Sequence, residues 1–170
     1  MRPEPQRILG VDPSLRASGV AVVETANGAM AVRHRETLRN PPALRHSECL
    51  RRLRDAIETR LAADRPQAAA IESLFFSRNV RTAIALGEVR GVILACCAAA
   101  GVPVFEYAPR DVKRAVTGRG EASKEQVERM VRALTGFRDA ATEDETDAIA
   151  VALCHAQRHG RDGANAGREL

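Results

Sequence analysis

Two apolar runs in this chain each end in a single acid. Residues 8–11 lead into Asp12, and residues 68–71 lead into Glu72. Short apolar runs of this kind are typical of buried strands, and an acid at the end of one is costly to desolvate unless something compensates its charge. A divalent cation compensates several carboxylates at once, and Mg²⁺ prefers oxygen ligands. The pattern therefore indicates metal-dependent chemistry, on phosphate esters in particular.

The length of 170 residues and the 45% apolar and 28% charged composition fit one globular domain with a sizeable core. We expect a single domain over 1–159 and a disordered, Gly-rich polar tail over 160–170. The sequence shows no signal-peptide region at its start and no apolar run near the roughly 20 residues of a membrane span. We therefore expect no membrane association and a cytoplasmic location. The net charge of +4 suits an anionic partner.

Apolar periodicity and turn residues divide the chain into strands and helices. Asn27-Gly28 is a hairpin signal between the second and third strands, and Ser123 and Thr142 are helix caps. The order predicts an α/β fold with a five-stranded mixed sheet flanked by helices. The predicted strands are 7–12, 19–24, 30–38, 68–74 and 102–107, and the predicted helices are 44–63, 80–100, 110–116, 124–134 and 143–159.

A third acidic cluster lies at 143–147, directly before an apolar helical stretch. Asp144 and Asp147 are three residues apart on this helix, so both project from one face. If the strands that end in Asp12 and Glu72 are neighbours and this helix packs across their ends, the four carboxylates converge. Such a cluster can hold two Mg²⁺ ions, which activate a water and stabilise the leaving oxygen of a phosphodiester.

The chain resembles the RuvC-type Holliday junction resolvases of the ribonuclease H-like superfamily. The matching segments follow in order over about residues 7–158: 8–13, 71–72 with 75–79, 85–91, 103–107, 112–113, Lys124, and Asp144 with 147–150. The resemblance implies a ribonuclease H-like fold and places Asp12, Glu72, Asp144 and Asp147 on the family's metal-binding catalytic carboxylates. It also implies Mg²⁺ or Mn²⁺ as cofactor, paired nicks in four-way junction DNA, a homodimer, and a branch-migration motor as partner.

Two aromatic residues, Phe75 and Phe76, follow Glu72 in a chain with only 3% aromatic residues. They are either both core residues, or one stacks on an unpaired base at the junction centre. By resemblance Phe75 is the stacking candidate, and Arg78 and Asn79 then contact phosphates or base edges.

The only two lysines, Lys113 and Lys124, flank a loop with Gly118, Arg119 and Gly120. Lysine offers a point charge to phosphates, and glycine permits a close backbone approach. By resemblance these lysines lie near the scissile strand, where Lys113 also stabilises charge in the transition state and so counts among the catalytic residues. We expect these two lysines to bind DNA together with Arg110, Arg114 and Arg119.

The predicted helix 80–100 carries small residues at Ala83, Ala85, Gly87 and Gly91. It is either a closely packed core helix or the face of a dimer, which symmetric cutting of a two-fold junction requires.

Three functions remain open from the sequence. The first is a metal-dependent endonuclease acting on DNA junctions. The second is an actin-like or sugar-kinase-type phosphotransferase, although the chain is short for a two-lobed nucleotide clamp. The third is a non-catalytic module that binds junctions.

Overall fold

The computed structural model describes residues 5–73, 79–159 and 167–170. Their elements follow the order predicted from the sequence, with one short strand added at the end. The strands are β1 (Gln6–Asp12), β2 (Ala17–Ala26), β3 (Ala29–Arg39), β4 (Ala68–Glu72), β5 (Val104–Tyr107) and β6 (Arg168–Glu169). The helices are α1 (His46–Asp64), α2 (Val80–Ala99), α3 (Pro109–Thr117), α4 (Lys124–Thr135) and α5 (Glu143–His159).

The strands form one mixed sheet in the order β3-β2-β1-β4-β5-β6. β1, β2 and β3 pair antiparallel as successive hairpins, and Asn27 and Gly28 take positive φ angles of 52° and 78° in the second hairpin turn. β1 and β4 pair parallel, as do β4 and β5. The parallel pairs place the carboxyl ends of β1, β4 and β5 at one edge of the sheet.

Each strand divides its side chains between two cores, because successive residues point to opposite faces. Leu9, Val11 and Ile71 pack with α1 and α2 on one face. Ile8 and Ala70 pack on the other face, where the core residues come from α3, α4 and α5. The sheet is therefore covered by helices on both faces, as the apolar runs on β1 and β4 predict.

Helix α5 lies directly on the sheet because two glycines remove side chains from its path. A Cβ at Gly10 of β1 would overlap the backbone of Ala148, and a Cβ at Gly19 of β2 would overlap the backbone of Asp144. The helix is buried along its middle, where residues 148–154 are at most 1% exposed. These contacts fix where the first turn of α5 lies relative to the end of β1.

The sheet has one strand more than the five predicted. Arg168 and Glu169 pair antiparallel with Glu106 and Phe105 of β5, in a segment that the sequence predicts to be a disordered tail. Neither apolar alternation nor β-branched residues mark this segment. Its pairing comes from the open backbone groups at the edge of β5, which only the assembled sheet presents.

Helix α2 is largely uncovered on one side. Val80 and Ile84 are 70% and 57% exposed, whereas Val89 and Ile93 on the opposite side are fully buried. Helix α2 has 20 residues, and an 18-residue window within it has a mean hydropathy of 1.6, so it is long and apolar enough to span a membrane by these two criteria alone. It is not an uninterrupted apolar run, because Arg81, Glu88 and Arg90 lie within it. The buried side of α2 belongs to the core under the sheet.

Candidate active site

Asp12 and Glu72 are the last residues of two adjacent parallel strands. Their strands pair in register up to Val11 and Ile71, so the two acids follow the last paired residues side by side. By alternation, Asp12 lies on the same face as Ile8, and Glu72 on the same face as Ala70. That face is the one covered by α5.

The first two turns of α5 carry the other two acids, and the start of the helix is fixed at several points. Thr142 and Glu145 exchange hydrogen bonds in the manner of a capping box, with Glu145 N donating to Thr142 Oγ1 and Thr142 N donating to Glu145 Oε2, each at 3.2 Å. Arg35 of β3 forms an ion pair with Glu145, and the hydroxyls of Thr37 and Thr142 share a hydrogen bond. The predicted Thr142 cap is thus confirmed, and β3 holds the helix start in place.

The four acids interact electrostatically, as a shared site requires. Burial raises the pKa of Asp12 from 3.8 to about 7, and the charges of Asp147, Glu72 and Asp144 add to this rise. Burial, followed by the charge of Asp147, raises the pKa of Glu72 from 4.5 to about 7. The pKa of Asp147 is also raised, by burial first. The structure therefore brings together the residues that the sequence placed in one cluster.

Two lysines lie close enough to oppose this repulsion. Lys113 of α3 and Lys124 of α4 both lower the pKa values of Glu72 and Asp147, and Lys124 also lowers that of Asp12. Lys124 forms an ion pair with Glu143 and is 67% exposed. The two lysines thus flank the acids, with Lys124 open to solvent beside them.

The four carboxylates are ligands that suit divalent cations, although their oxygens are not arranged around a single ion position. In the described part of the chain, no three His, Cys, Asp or Glu side chains are arranged to share one metal ion. The acids are half-buried and raise one another's pKa, so a bound divalent cation would relieve both the burial cost and the repulsion. Asp12, Glu72, Asp144 and Asp147 are the residues that would hold it.

The predicted DNA-contacting residues that the structure describes lie at the start of α2 and around α3 and α4. Asn79 is the N-cap of α2, where its Oδ1 accepts hydrogen bonds from the backbone N–H groups of Arg81 at 3.0 Å and Thr82 at 3.4 Å. Phe75 and Arg78 lie outside the described residues.

The remaining predicted cations are exposed around α3. Arg110 pairs loosely with Glu121 at 3.3 Å, Arg114 with Asp111 at 3.6 Å, and Arg119 lies in the loop between α3 and α4. Weak, solvated pairs of this kind leave the guanidinium groups able to exchange their partners for phosphates.

Two arginines outside the predicted set of site residues also contact the acids. Arg39, at the end of β3, lies 3.5 Å from Asp144 Oδ2 and is 65% exposed. Nη1 of Arg90 donates to the backbone carbonyl of Glu72 at 2.6 Å. Arg39 had no distinguishing signal in an arginine-rich chain. Arg90 did have one, because it is a charged residue next to Val89 on the buried face of an apolar helix.

The fold and the site together define a ribonuclease H-like nuclease: a mixed sheet, helices on both faces, and acids at the carboxyl ends of β1 and β4 under the start of a helix. Residues 8–155 match the family model described as crossover junction endodeoxyribonuclease RuvC. The chain belongs to this family, whose members are metal-dependent nucleases.

Relatives and solved structures agree with this assignment. The chain is 45% identical to the crossover junction endodeoxyribonuclease RuvC of Halorhodospira halophila over 88% of its own length and 89% of the relative. It is also 45% identical to that of Myxococcus xanthus, over 91% and 82%. The structure of Thermus thermophilus RuvC in complex with a Holliday junction substrate superposes with a TM-score of 0.89, at 32% identity and over 97% and 99% of the two chains. The phosphotransferase interpretation is therefore excluded.

Proposed function

We propose that this nuclease resolves four-way DNA junctions by metal-dependent nicks, with Asp12, Glu72, Asp144 and Asp147 as the ion-binding catalytic residues. The observation that carries the proposal is the register of β1 and β4, which sets Asp12 beside Glu72 under the first turn of α5. The crossover junction nucleases that the chain resembles support the choice of substrate.

The four carboxylates would hold Mg²⁺, or Mn²⁺, with two ions per site. Ions bound there would supply an activated water and would stabilise the departing oxygen of the phosphodiester. The chain's own residues set the geometry: the sheet edge fixes Asp12 and Glu72, and the capped start of α5 fixes Asp144 and Asp147. Lys113, half-buried beside Glu72, stabilises negative charge that develops on the phosphate.

DNA reaches the acids past exposed cations of α3, α4 and the loop between them. A cleft of about 220 Å³ beside α5 is lined by one lysine, Lys124, and by four acids, which are Glu125, Glu128, Glu143 and Asp147. Lys124, Arg110, Arg114 and Arg119 line the approach from α3 and α4 and neutralise phosphates. Arg78 and Asn79, before α2, contribute further contacts, and Phe75 stacks on an unpaired base; these roles stay predictions from the sequence.

A second copy of the chain covers the exposed side of α2. Val80 and Ile84 are largely exposed there, and a groove of about 570 Å³ beside them is bordered by Leu15, His46 and Ile84. Gly87 and Gly91 have nothing within 4 Å of a Cβ, which leaves room for another helix to approach closely. A dimer of this kind supplies two active sites, as paired nicks require. A branch-migration motor as partner and the cytoplasmic location stay predictions.

Cleavage of a synthetic four-way junction tests the proposal. In Mg²⁺ we expect symmetric nicks in the junction, and little cutting of linear duplex or RNA–DNA hybrid of the same length. Asp12→Asn should abolish the nicks while junction binding in EDTA persists. Asp55→Asn, which removes an exposed acid of α1, is the matched control and should cleave normally.

Retained cutting by Asp12→Asn would remove Asp12 from the site. Absence of cutting by the wild-type protein in Mg²⁺ and in Mn²⁺, with junction binding intact, would favour the non-catalytic binding module instead.

A further inference from the structure

Arg90 is a buried cation on an otherwise apolar helix. It is 8% exposed and lies on α2 between Val89 and Ile93, which are both fully buried. A guanidinium in such surroundings is costly unless its donors are satisfied. Its bonding partners therefore show what the charge is used for.

The guanidinium joins three elements of the fold. Nη1 donates to the backbone carbonyl of Glu72 at the end of β4, and Nη2 donates to Oε2 of Glu106 on β5 at 3.0 Å. Glu106 is 18% exposed and also lies 3.5 Å from the exposed Arg168 of β6. The bond to Glu72 is made to the backbone, so it leaves the carboxylate of Glu72 free for other ligands.

The position of this bond along β4 is informative. Pairing between β1 and β4 ends at Val11 and Ile71, whereas β4 stays paired with β5 as far as Glu72 and Tyr107. The peptide that joins Glu72 to Ser73 is therefore held on the β5 side, where Ser73 N donates to the carbonyl of Tyr107 at 2.9 Å. Its carbonyl lies beyond the last residue paired with β1, and Arg90 donates to that carbonyl from α2, so both polar atoms of the peptide are held.

We propose that Arg90 is a positioning residue, which aims the carboxylate of Glu72 by fixing its backbone carbonyl and so links α2 to the metal site. The inference rests on the assignment of Glu72 to the metal site under the proposed function. Arg90 acts through Glu72 and does not touch DNA or the reacting phosphate. Because α2 also carries the exposed face assigned to the second copy, Arg90 connects that face to one catalytic carboxylate.

The test must distinguish a role of Arg90 in positioning Glu72 from a role in stabilising the fold. Arg90→Met alone would leave Glu106 half-buried without its main partner, so the informative variant is Arg90→Met with Glu106→Met. Replacing both members of a buried ion pair by apolar residues of similar volume is often neutral for folding. The double variant therefore keeps the fold and removes the donor to the Glu72 carbonyl together with the ion pair to Glu106.

We expect the double variant to bind Mn²⁺ about tenfold more weakly by calorimetry, as is typical when a residue that orients a metal ligand is lost. Its kcat for junction cleavage should fall by a similar factor at fixed Mn²⁺, while junction affinity in EDTA stays unchanged. Glu106→Gln keeps the donor to Glu72, so it should lower the melting temperature but hold Mn²⁺ affinity within about twofold.

Arg60→Gln is the matched control for the loss of an arginine ion pair. Arg60 is 20% exposed on α1 and pairs with Asp64 at 3.2 Å, so its loss should leave Mn²⁺ affinity unchanged. Unchanged Mn²⁺ affinity in the double variant would overturn the positioning role. Equal weakening in Glu106→Gln and in the double variant would also overturn it, because the ion pair and not the carbonyl bond would then be responsible.

The variant Glu72→Gln distinguishes a failure of the Arg90 proposal from a failure of the assignment of Glu72 to the metal site. If Glu72→Gln binds Mn²⁺ and cleaves as the wild type does, Glu72 is not in the site and both proposals fail. If Glu72→Gln is inactive and the double variant is normal, only the role of Arg90 fails.

Discussion

Gly19 of β2 lies directly against the backbone of Asp144, and a Cβ at residue 19 would overlap the Asp144 carbonyl oxygen. Gly19 also pairs with Asp12 across the β1–β2 ladder. One glycine thus sets the distance between the end of β1 and the first turn of α5. The spacing of the acids in the site depends on a missing side chain as much as on the acids themselves.

Gly19→Ala should push the start of α5 away from the sheet. Displacement of a catalytic group by about 1 Å can cost on the order of a hundredfold in rate, and we expect a loss of this size in junction cleavage. Mn²⁺ affinity should fall as well, because Asp144 and Asp147 move with the helix. Cleavage kinetics and calorimetry on the purified variant measure both effects.

Gly28→Ala provides the control for this substitution. Gly28 has a φ of +78° and open space around it, so alanine there strains a hairpin turn without displacing α5. It should cost roughly 1 kcal/mol in stability and leave Mn²⁺ affinity intact. If Gly19→Ala lowered stability but left metal affinity and rate unchanged, α5 would not need this close contact.

The raised pKa of Asp12 predicts a pH-dependent cost in the metal-free protein. Folding raises the pKa of Asp12 from 3.8 to about 7, so the folded state binds this proton more tightly than the unfolded state does. The bound proton therefore stabilises the folded state below pH 3.8, and this stabilisation is lost as pH rises through about 7. Asp12→Asn removes the titration. The metal-free variant should therefore be more stable than wild type by on the order of 1–2 kcal/mol at pH 8, with a smaller difference at pH 5.

Denaturant unfolding in EDTA at the two pH values measures this difference. Asp55→Asn is the comparison, because the neighbouring Arg54 lowers the pKa of Asp55 and its removal should bring no gain at pH 8. A stability gap between Asp12→Asn and wild type that does not widen from pH 5 to pH 8 would contradict the assignment of the cost to the charge of Asp12.

Arg39 offers an exposed cation at the edge of the acidic site. It lies 3.5 Å from Asp144, and bound metal ions at the acids would compete for that carboxylate and leave the guanidinium for a DNA phosphate. Arg39→Gln should weaken junction binding and reduce the slope of log affinity against log salt concentration by about one. Titrations at several salt concentrations measure this slope, with Arg54→Gln on the remote face of α1 as control. An unchanged slope in Arg39→Gln would mean that Arg39 makes no phosphate contact.

A substitution at Ile84 tests whether the exposed face of α2 forms the contact between two copies of the chain. Ile84 is 57% exposed, and a glutamate there would place a charge in the centre of the proposed contact between two copies. Ile84→Glu should sediment as a monomer and lose paired nicking, while Mn²⁺ affinity per chain stays as in wild type. Thr59→Glu, which adds the same charge to the exposed side of α1, should leave the assembly state unchanged. A wild-type chain that sediments as a monomer at micromolar concentration would refute the dimer directly.

Much of this molecule is determined by local sequence. The apolar runs before Asp12 and Glu72 specify buried strands, the Asn27-Gly28 turn specifies a hairpin, and the caps Ser123 and Thr142 specify helix starts. These signals act over a few residues through backbone sterics and short-range hydrogen bonds, so they can be read without the fold. The acids could be predicted as a group because each one closes or opens such an element.

Other features depend on contacts between residues far apart in the chain. The strand β6 forms because β5 presents an open edge, and the depth of α5 is set by Gly10 and Gly19, which have no local signal for this role. Arg39 and Arg90 meet the acids only after β3 and α2 have packed. Local sequence determined which elements other than β6 form and which acids lie at or near their ends. The tertiary structure decided the pairing of β6 and which cations and carbonyls those acids meet, because distance in space, unlike propensity, is a property of the whole chain.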